Sequence, residues 1–180
     1  MVFENIAGYT AGRPALVLAE KKGADVAGAF RQYAQTHTRA KFLPQDADGH
    51  SAAYAAAQLG GWLIDTKRYD ACKPLAAAVA GADETVVSSL ASYFVEAGCA
   101  AANPLALDLL SSNNSNTRVI ACNMLAQIGD SSDLPKVKVI ADTDTATTIL
   151  ADRESGTAIK TFPVAEACKA AVGKIQLRGG

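Results

Sequence analysis

The chain has 180 residues, a formal net charge of −1 and an apolar share of 49%. That share excludes a disordered chain, and the lack of any basic stripe argues against a nucleic-acid binder, which must release counterions from phosphates. No apolar run approaches the ~18 residues of a membrane span, so none is expected.

Much of the apolar share is alanine, the best helix former, and aromatics are sparse. An all-α fold follows. The N-terminus, MVFENIAGYTAG, lacks the basic start and apolar core of a signal peptide. The expected location is cytoplasmic, or periplasmic or secreted if a signal has been removed. Pro14 to Lys22 and Asp25 to His37 read as a first helix pair with Gly23 between them. Arg39 to Gly49 is polar and irregular. Ser51 to Asp65 reads as a helix with Ala53, Ala56, Ala57, Gly60 and Ile64 along one side. Gly60-Gly61 inside it costs about 1 kcal/mol per glycine relative to alanine, which points to a close helix–helix approach.

From there a period takes over. The prolines stand at 14, 44, 74, 104, 135 and 163, close to 30 residues apart. Proline suits the first turn of a helix, where its missing N–H would be unpaired anyway. Lys73-Pro74-Leu75, Asn103-Pro104-Leu105 and Leu134-Pro135 each open a short apolar helix. A second helix follows each of the first two. One has Val86, Leu90, Tyr93, Phe94 and Ala97 at helical spacing; the other has Thr117, Ala121, Met124, Leu125 and Ile128. Asp83, and Asn116 or Ser115, are the expected N-caps; Gly98 and Gly129 close the helices. After the helix at Pro135–Asp142 comes an insertion. TTIL and TAIKTF flank the turn-prone ADRESG, predicting a short β-hairpin over 146–162 before a last helix, Pro163–Leu177. This gives about five helix pairs, 11–37, 40–65, 69–98, 100–129 and 134–177, in one domain over 1–180.

The stretch Thr117-Arg118-Val119 through Ala121, Met124-Leu125, Ile128-Gly129-Asp130 and Leu134-Pro135 resembles the HEAT repeat in its bacterial short form. The family's valine place holds Thr117, and the glycine after leucine is Ala126. Val164, Ala167, Val172 and Ile175 look like the same helix in the last unit, with Ala165 at the arginine place. The resemblance covers 100–178 best and 69–98 less well. It implies an α-α superhelix, a solenoid whose second helices line a concave side that binds another protein. Each pair alone cannot cover its own stripe and must stack on the next.

Catalytic chemistry is thinly represented. The histidines are His37 and His50, and no CxxC or Cys/His spacing suggests a metal site or a cofactor. The DTDT run at 142–145 lacks the glycine turn and terminal glutamate of a calcium loop and reads as a solvated turn. The expected function is a non-enzymatic protein-binding or scaffolding module. Its alternatives are a self-assembling homo-oligomer and an accessory lyase of HEAT-like type. Residues beside the apolar stripes form the candidate partner row: Trp62, Ser88, Ser92, Arg118, Asn123 and Gln127, with Tyr54 near Trp62. Replacing Arg118 and Gln127 by alanine is expected to weaken binding and leave stability unchanged. The four cysteines allow two disulfides in an oxidising compartment, or four buried thiols in a reducing one. Aligned on the repeat, Cys72 and Cys99 start adjacent first helices, and Cys122 and Cys168 lie in adjacent second helices. Those are the expected pairs. Gly179-Gly180, after Arg178, is expected to be a soft, exposed end.

Overall fold

The computed structural model describes residues 52–151 and 158–179. The helix pair 11–37, the segment 40–49, the two histidines and the hairpin turn at 152–157 lie outside them. Among the described residues the chain is mostly helical, with eight helices and one two-stranded sheet. It divides into two compact units, one up to Leu105 and one from Ala106.

In the first unit, α1 (Ala52–Asp65) packs against α3 (Glu84–Ser89) and α4 (Ala91–Glu96), with α2 (Cys72–Ala78) between them in sequence. Leu59, Trp62 and Leu63 share one side of α1 and are buried, as are Leu90, Tyr93 and Phe94. The predicted close approach at Gly60 is present. A Cβ there would lie 3.4 Å from Leu90 Cδ2 and 3.5 Å from Tyr93 Cβ. The predicted single helix over 83–97 is two, broken at Leu90, whose N–H bonds Val87 O at 3.0 Å in a tightened turn. One residue earlier, Ser89 Oγ donates to Thr85 O at 2.7 Å, a back-bond that bends helices. Asp83 is the N-cap, accepting from Thr85 N at 2.9 Å.

Two corners of this unit share one geometry. At the end of α4, Gly98 has φ 56°, Cys99 N donates to Phe94 O at 2.9 Å and Gly98 N to Val95 O at 3.1 Å. This is the Schellman ending, which satisfies the last carbonyls of a helix. At the end of α1, Lys67 takes the glycine's place at φ 54°, with Arg68 N on Leu63 O and Lys67 N on Ile64 O. Each corner leads into a 3₁₀ turn, Tyr69–Ala71 or Ala100–Ala102, and then into α2 or α5 (Asn103–Leu109).

The second unit holds α6 (Ser115–Ile128) and α7 (Leu134–Thr143), both packed on α8 (Pro163–Gly179). Its core gathers Ala121, Met124, Leu125, Val137, Val164, Ala171 and Ile175. Asn114 caps α6, accepting from Asn116 N at 2.9 Å, in place of the expected Ser115 or Asn116. A third 3₁₀ turn, Ser131–Asp133, opens α7. First helices therefore begin at Cys72, Asn103 and Leu134, 31 residues apart. Pro74, Pro104 and Pro135 fall in their first turns, whereas Pro163 opens the second helix of the last pair. The insertion between α7 and α8 is the expected antiparallel hairpin, β1 (Thr148–Ala151) and β2 (Ala158–Thr161), with Leu150 opposite Ile159 and Ile149 opposite Lys160.

Candidate interaction site

The candidate row separates once burial is known. Trp62 is 4% exposed, and its indole Nε1 is buried without a hydrogen-bond partner. It is a core residue, because helical spacing puts it beside Leu59 and Leu63 on the side of α1 that meets α3 and α4. Ser88 is half-buried, with its hydroxyl buried and unpartnered. Ser92 is exposed. The Tyr54 side chain lies outside the described positions.

Arg118 corrects the expectation most. It is not a free surface cation. Its Nε donates to Asp144 Oδ2 at 2.6 Å and its Nη1 to Ser112 O at 2.8 Å. The two side chains are 16% and 5% exposed. Asp144 is the C-cap of α7, and its other oxygen accepts from Ala146 N at 2.9 Å. The Arg118 hydrogen bond is the main reason its carboxyl is held below the ordinary carboxylate range. Arg118 therefore ties the first turn of α6 to the end of α7 and to the root of the hairpin. Replacing it with alanine breaks that tie, so the expectation of unchanged stability does not hold. The sequence signal was the DTDT run itself, whose second aspartate supplies the counter-charge.

Asn123 and Gln127 are exposed on α6, one turn apart. Asn116, which the sequence reading treated only as a cap, is exposed two turns before Asn123 on the same face. Half-buried Ile120 lies within that row. The helix presenting it is fixed along its length. Asn114 caps its start, and Arg118 staples its first turn. Cys122 pairs with Cys168 of α8 at a Cα separation of 4.9 Å, and Arg178 caps its end. The Arg178 guanidinium donates to the carbonyls of Ala126 at 2.6 Å, Gly129 at 2.8 Å and Leu125 at 3.2 Å. The helix runs through Gly179, which is exposed as expected, and Gly180 lies outside the described residues.

Cys72 and Cys99 pair in the first unit at a Cα separation of 5.7 Å. Both pairs are those that the repeat alignment predicts, within the separations a disulfide spans. The Schellman corner at Gly98 is what turns Cys99 back toward the start of α2. Cys99, Cys122 and Cys168 are buried, and Cys72 is half-buried.

Four of the six exposed large apolar residues among the described residues lie on or beside the hairpin. Ile149 is 72% exposed, Leu150 54%, Ile159 48% and Phe162 40%. Its second root is pinned like its first: Glu166 N donates to Phe162 O at 2.9 Å, and Phe162 N donates to Glu166 Oε1 at 3.3 Å. Lys160 Nζ sits 5.4 Å from the centre of the Phe162 ring.

Among the described residues no cluster of three His, Cys, Asp or Glu side chains could hold a metal ion, and no helix is long and apolar enough to cross a membrane. Compared with protein-family models, with curated proteins and with solved structures, the chain matches none.

Proposed function

We propose that this chain is a non-enzymatic helical-repeat module of HEAT type whose α6 face binds another protein. The observation that carries the reading is the exposed row Asn116, Asn123 and Gln127 around half-buried Ile120. Amides offer donors and acceptors together, and cost less to desolvate than charges. An apolar centre ringed by such groups has the composition of a protein–protein contact. The caps, staple and cysteine pair along α6 hold the row in place before a partner arrives, which lowers the ordering cost of association. In a HEAT-type solenoid this second helix would line the concave side. The two cysteine pairs favour an oxidising compartment for this work.

The test is Asn123→Ala with Gln127→Ala. Partners are recovered from extract of the source cells and quantified by mass spectrometry against the unaltered chain. The expected result is loss of a defined partner by tenfold or more, with an unchanged melting temperature. A partner set retained at full yield by the folded double variant would remove the proposal.

A further inference from the structure

We infer that the hairpin joins two copies of this chain by antiparallel pairing of the free edge of β1 with β1 of the second copy. This site is separate from the α6 row, and the inference does not depend on it.

The starting observation is a local violation of patterning. A strand pair on a protein surface ordinarily keeps one face polar, and a bare two-stranded hairpin is marginal in water. Here Leu150 and Ile159 stand opposite each other on one face, while Ile149 and Phe162 lie on the other. More than half of Ile149 and of Leu150 is exposed, with 48% of Ile159 and 40% of Phe162. Both roots are nevertheless pinned, one through Asp144 and Arg118 and the other through Glu166. An apolar hairpin is thus held out from fixed roots.

Charge identifies the occupant. Natural sheets guard open edges with lysine, proline or a bulge. The run Thr147, Thr148, Ile149, Leu150, Ala151 carries none of these and no charge at all. Its only strand partner among the described residues is β2. Pairing β1 with its own symmetry mate sets Thr148, Ile149, Leu150 and Ala151 against the same four residues, with no like charges opposed. The β2 edge is guarded, because a two-fold pairing there brings Lys160 against its copy, which is destabilising. A two-fold contact through β1 also closes on itself, so it makes a dimer and not a filament.

Area sets the strength. The four exposed apolar side chains are shared between the two faces of the hairpin, two on each, so neither face alone carries a large apolar patch. Two copies paired edge to edge cover the open β1 backbone and set Ile149 and Leu150 beside the second copy's β1, while Ile159 and Phe162, on the β2 side, stay outside the seam. The contact is therefore small, below the standard size of specific interfaces, as for a weak and reversible dimer.

Sedimentation equilibrium from about 1 µM to about 1 mM tests this, with a monomer–dimer equilibrium expected inside that range. Ile149→Lys and Leu150→Lys, each at an exposed site, should weaken dimerisation at least tenfold while circular dichroism and melting temperature stay as they were. Lys160→Thr and the α6 variant Asn123→Ala/Gln127→Ala should leave it intact. Hydrogen exchange should slow in β1 amides, and not in the β2 edge, as concentration rises. A chain that stays monomeric throughout overturns the inference. So does a dimer that survives both β1 lysines, or one abolished by the α6 substitutions.

Discussion

Replacing Arg118 with alanine should cost the second unit about 3 kcal/mol. Asp144 is 5% exposed, so its carboxylate has little water to fall back on once the guanidinium is gone. Breaking one partner of a buried pair typically costs ~3–5 kcal/mol, and the 16% exposure of Arg118 argues for the lower end. The bond to Ser112 O is lost as well. For a chain of this size that is a fall of about 6–12 °C in melting temperature. Arg118→Lys keeps the charge but cannot reach both Asp144 and the Ser112 carbonyl, so an intermediate loss of about 1–2 kcal/mol is expected.

The assay is urea unfolding at neutral pH with the cysteine pairs intact, followed by far-ultraviolet circular dichroism. The fluorescence of Trp62, which lies in the first unit, reports separately on that unit. A double-mutant cycle with Asp144→Ala should give a coupling of about 1.5 kcal/mol or more. The pH dependence has a definite sign. Asp144 has a lowered folded pKa, so its stabilisation is present above the unfolded value near 4 and is lost as pH falls through the lower folded value. The gap between the unaltered chain and Arg118→Ala should therefore shrink only below about pH 4. Additive single losses, or an Arg118→Ala cost under about 0.5 kcal/mol, would refute the reasoning.

The two matching corners make a paired prediction. Lys67→Gly relieves a left-handed side-chain conformation and should stabilise by about 0.5–1 kcal/mol, whereas Gly98→Ala creates one and should destabilise by about 1 kcal/mol in the same urea assay. Tyr93 is fully buried, donates to Arg68 O at 2.8 Å, and its pKa is pushed up to about 12, mainly by burial. The raised value means its contribution is complete below about pH 10, the ordinary tyrosine value, and is lost on approaching pH 12. Tyr93→Phe should cost about 1–2 kcal/mol at neutral pH and blunt that alkaline loss, as measured by melting temperature across pH. Arg178→Ala takes the guanidinium donor from the carbonyls of Ala126 and Gly129, while Leu125 O keeps its bond from Gly129 N, and should lower stability by about 1–2 kcal/mol.

Much of the backbone order was legible because its signals are local. Proline in a first turn, aspartate at an N-cap and glycine past a helix end each act within a few residues, and so do the strand-forming runs TTIL and TAIKTF that flank the turn-prone ADRESG. The same locality explains the misses. Trp62 and Arg118 were both candidates for a partner, but their surroundings are set by residues far along the chain. Trp62 meets the side of α1 covered by α3 and α4, and Arg118 meets Asp144, 26 residues later. An arginine's sequence neighbours do not show whether its counter-charge comes from solvent ions or from the next helix. Asn123 and Gln127 could be read correctly as surface because their own helix's stripe fixes which side faces away.

Gly129 shows how one sequence signal can have two physical causes. It stands 31 residues after Gly98 and looks like the same helix stop. Yet its φ is −70°, a value any residue adopts, and no Schellman bond forms. Glycine is needed there for space: a Cβ would fall 2.6 Å from Leu125 O and 3.2 Å from Ile175 Cδ1 of α8. With the chain extended, the next turn is closed instead by Asp130 and Asp133. Ser132 N donates to Asp130, and Asp130 N donates to Asp133 at 2.8 Å. Gly129 N still donates to Leu125 O at 2.9 Å, but the Ala126 carbonyl is left for another donor, and Arg178 of α8 supplies it. The corner has thus exchanged a local solution for one that requires α8 to be docked. Folding of α6 at its C-terminal end is thereby coupled to the far side of the hairpin insertion. That coupling is absent at Lys67 and Gly98, where the helix end satisfies itself.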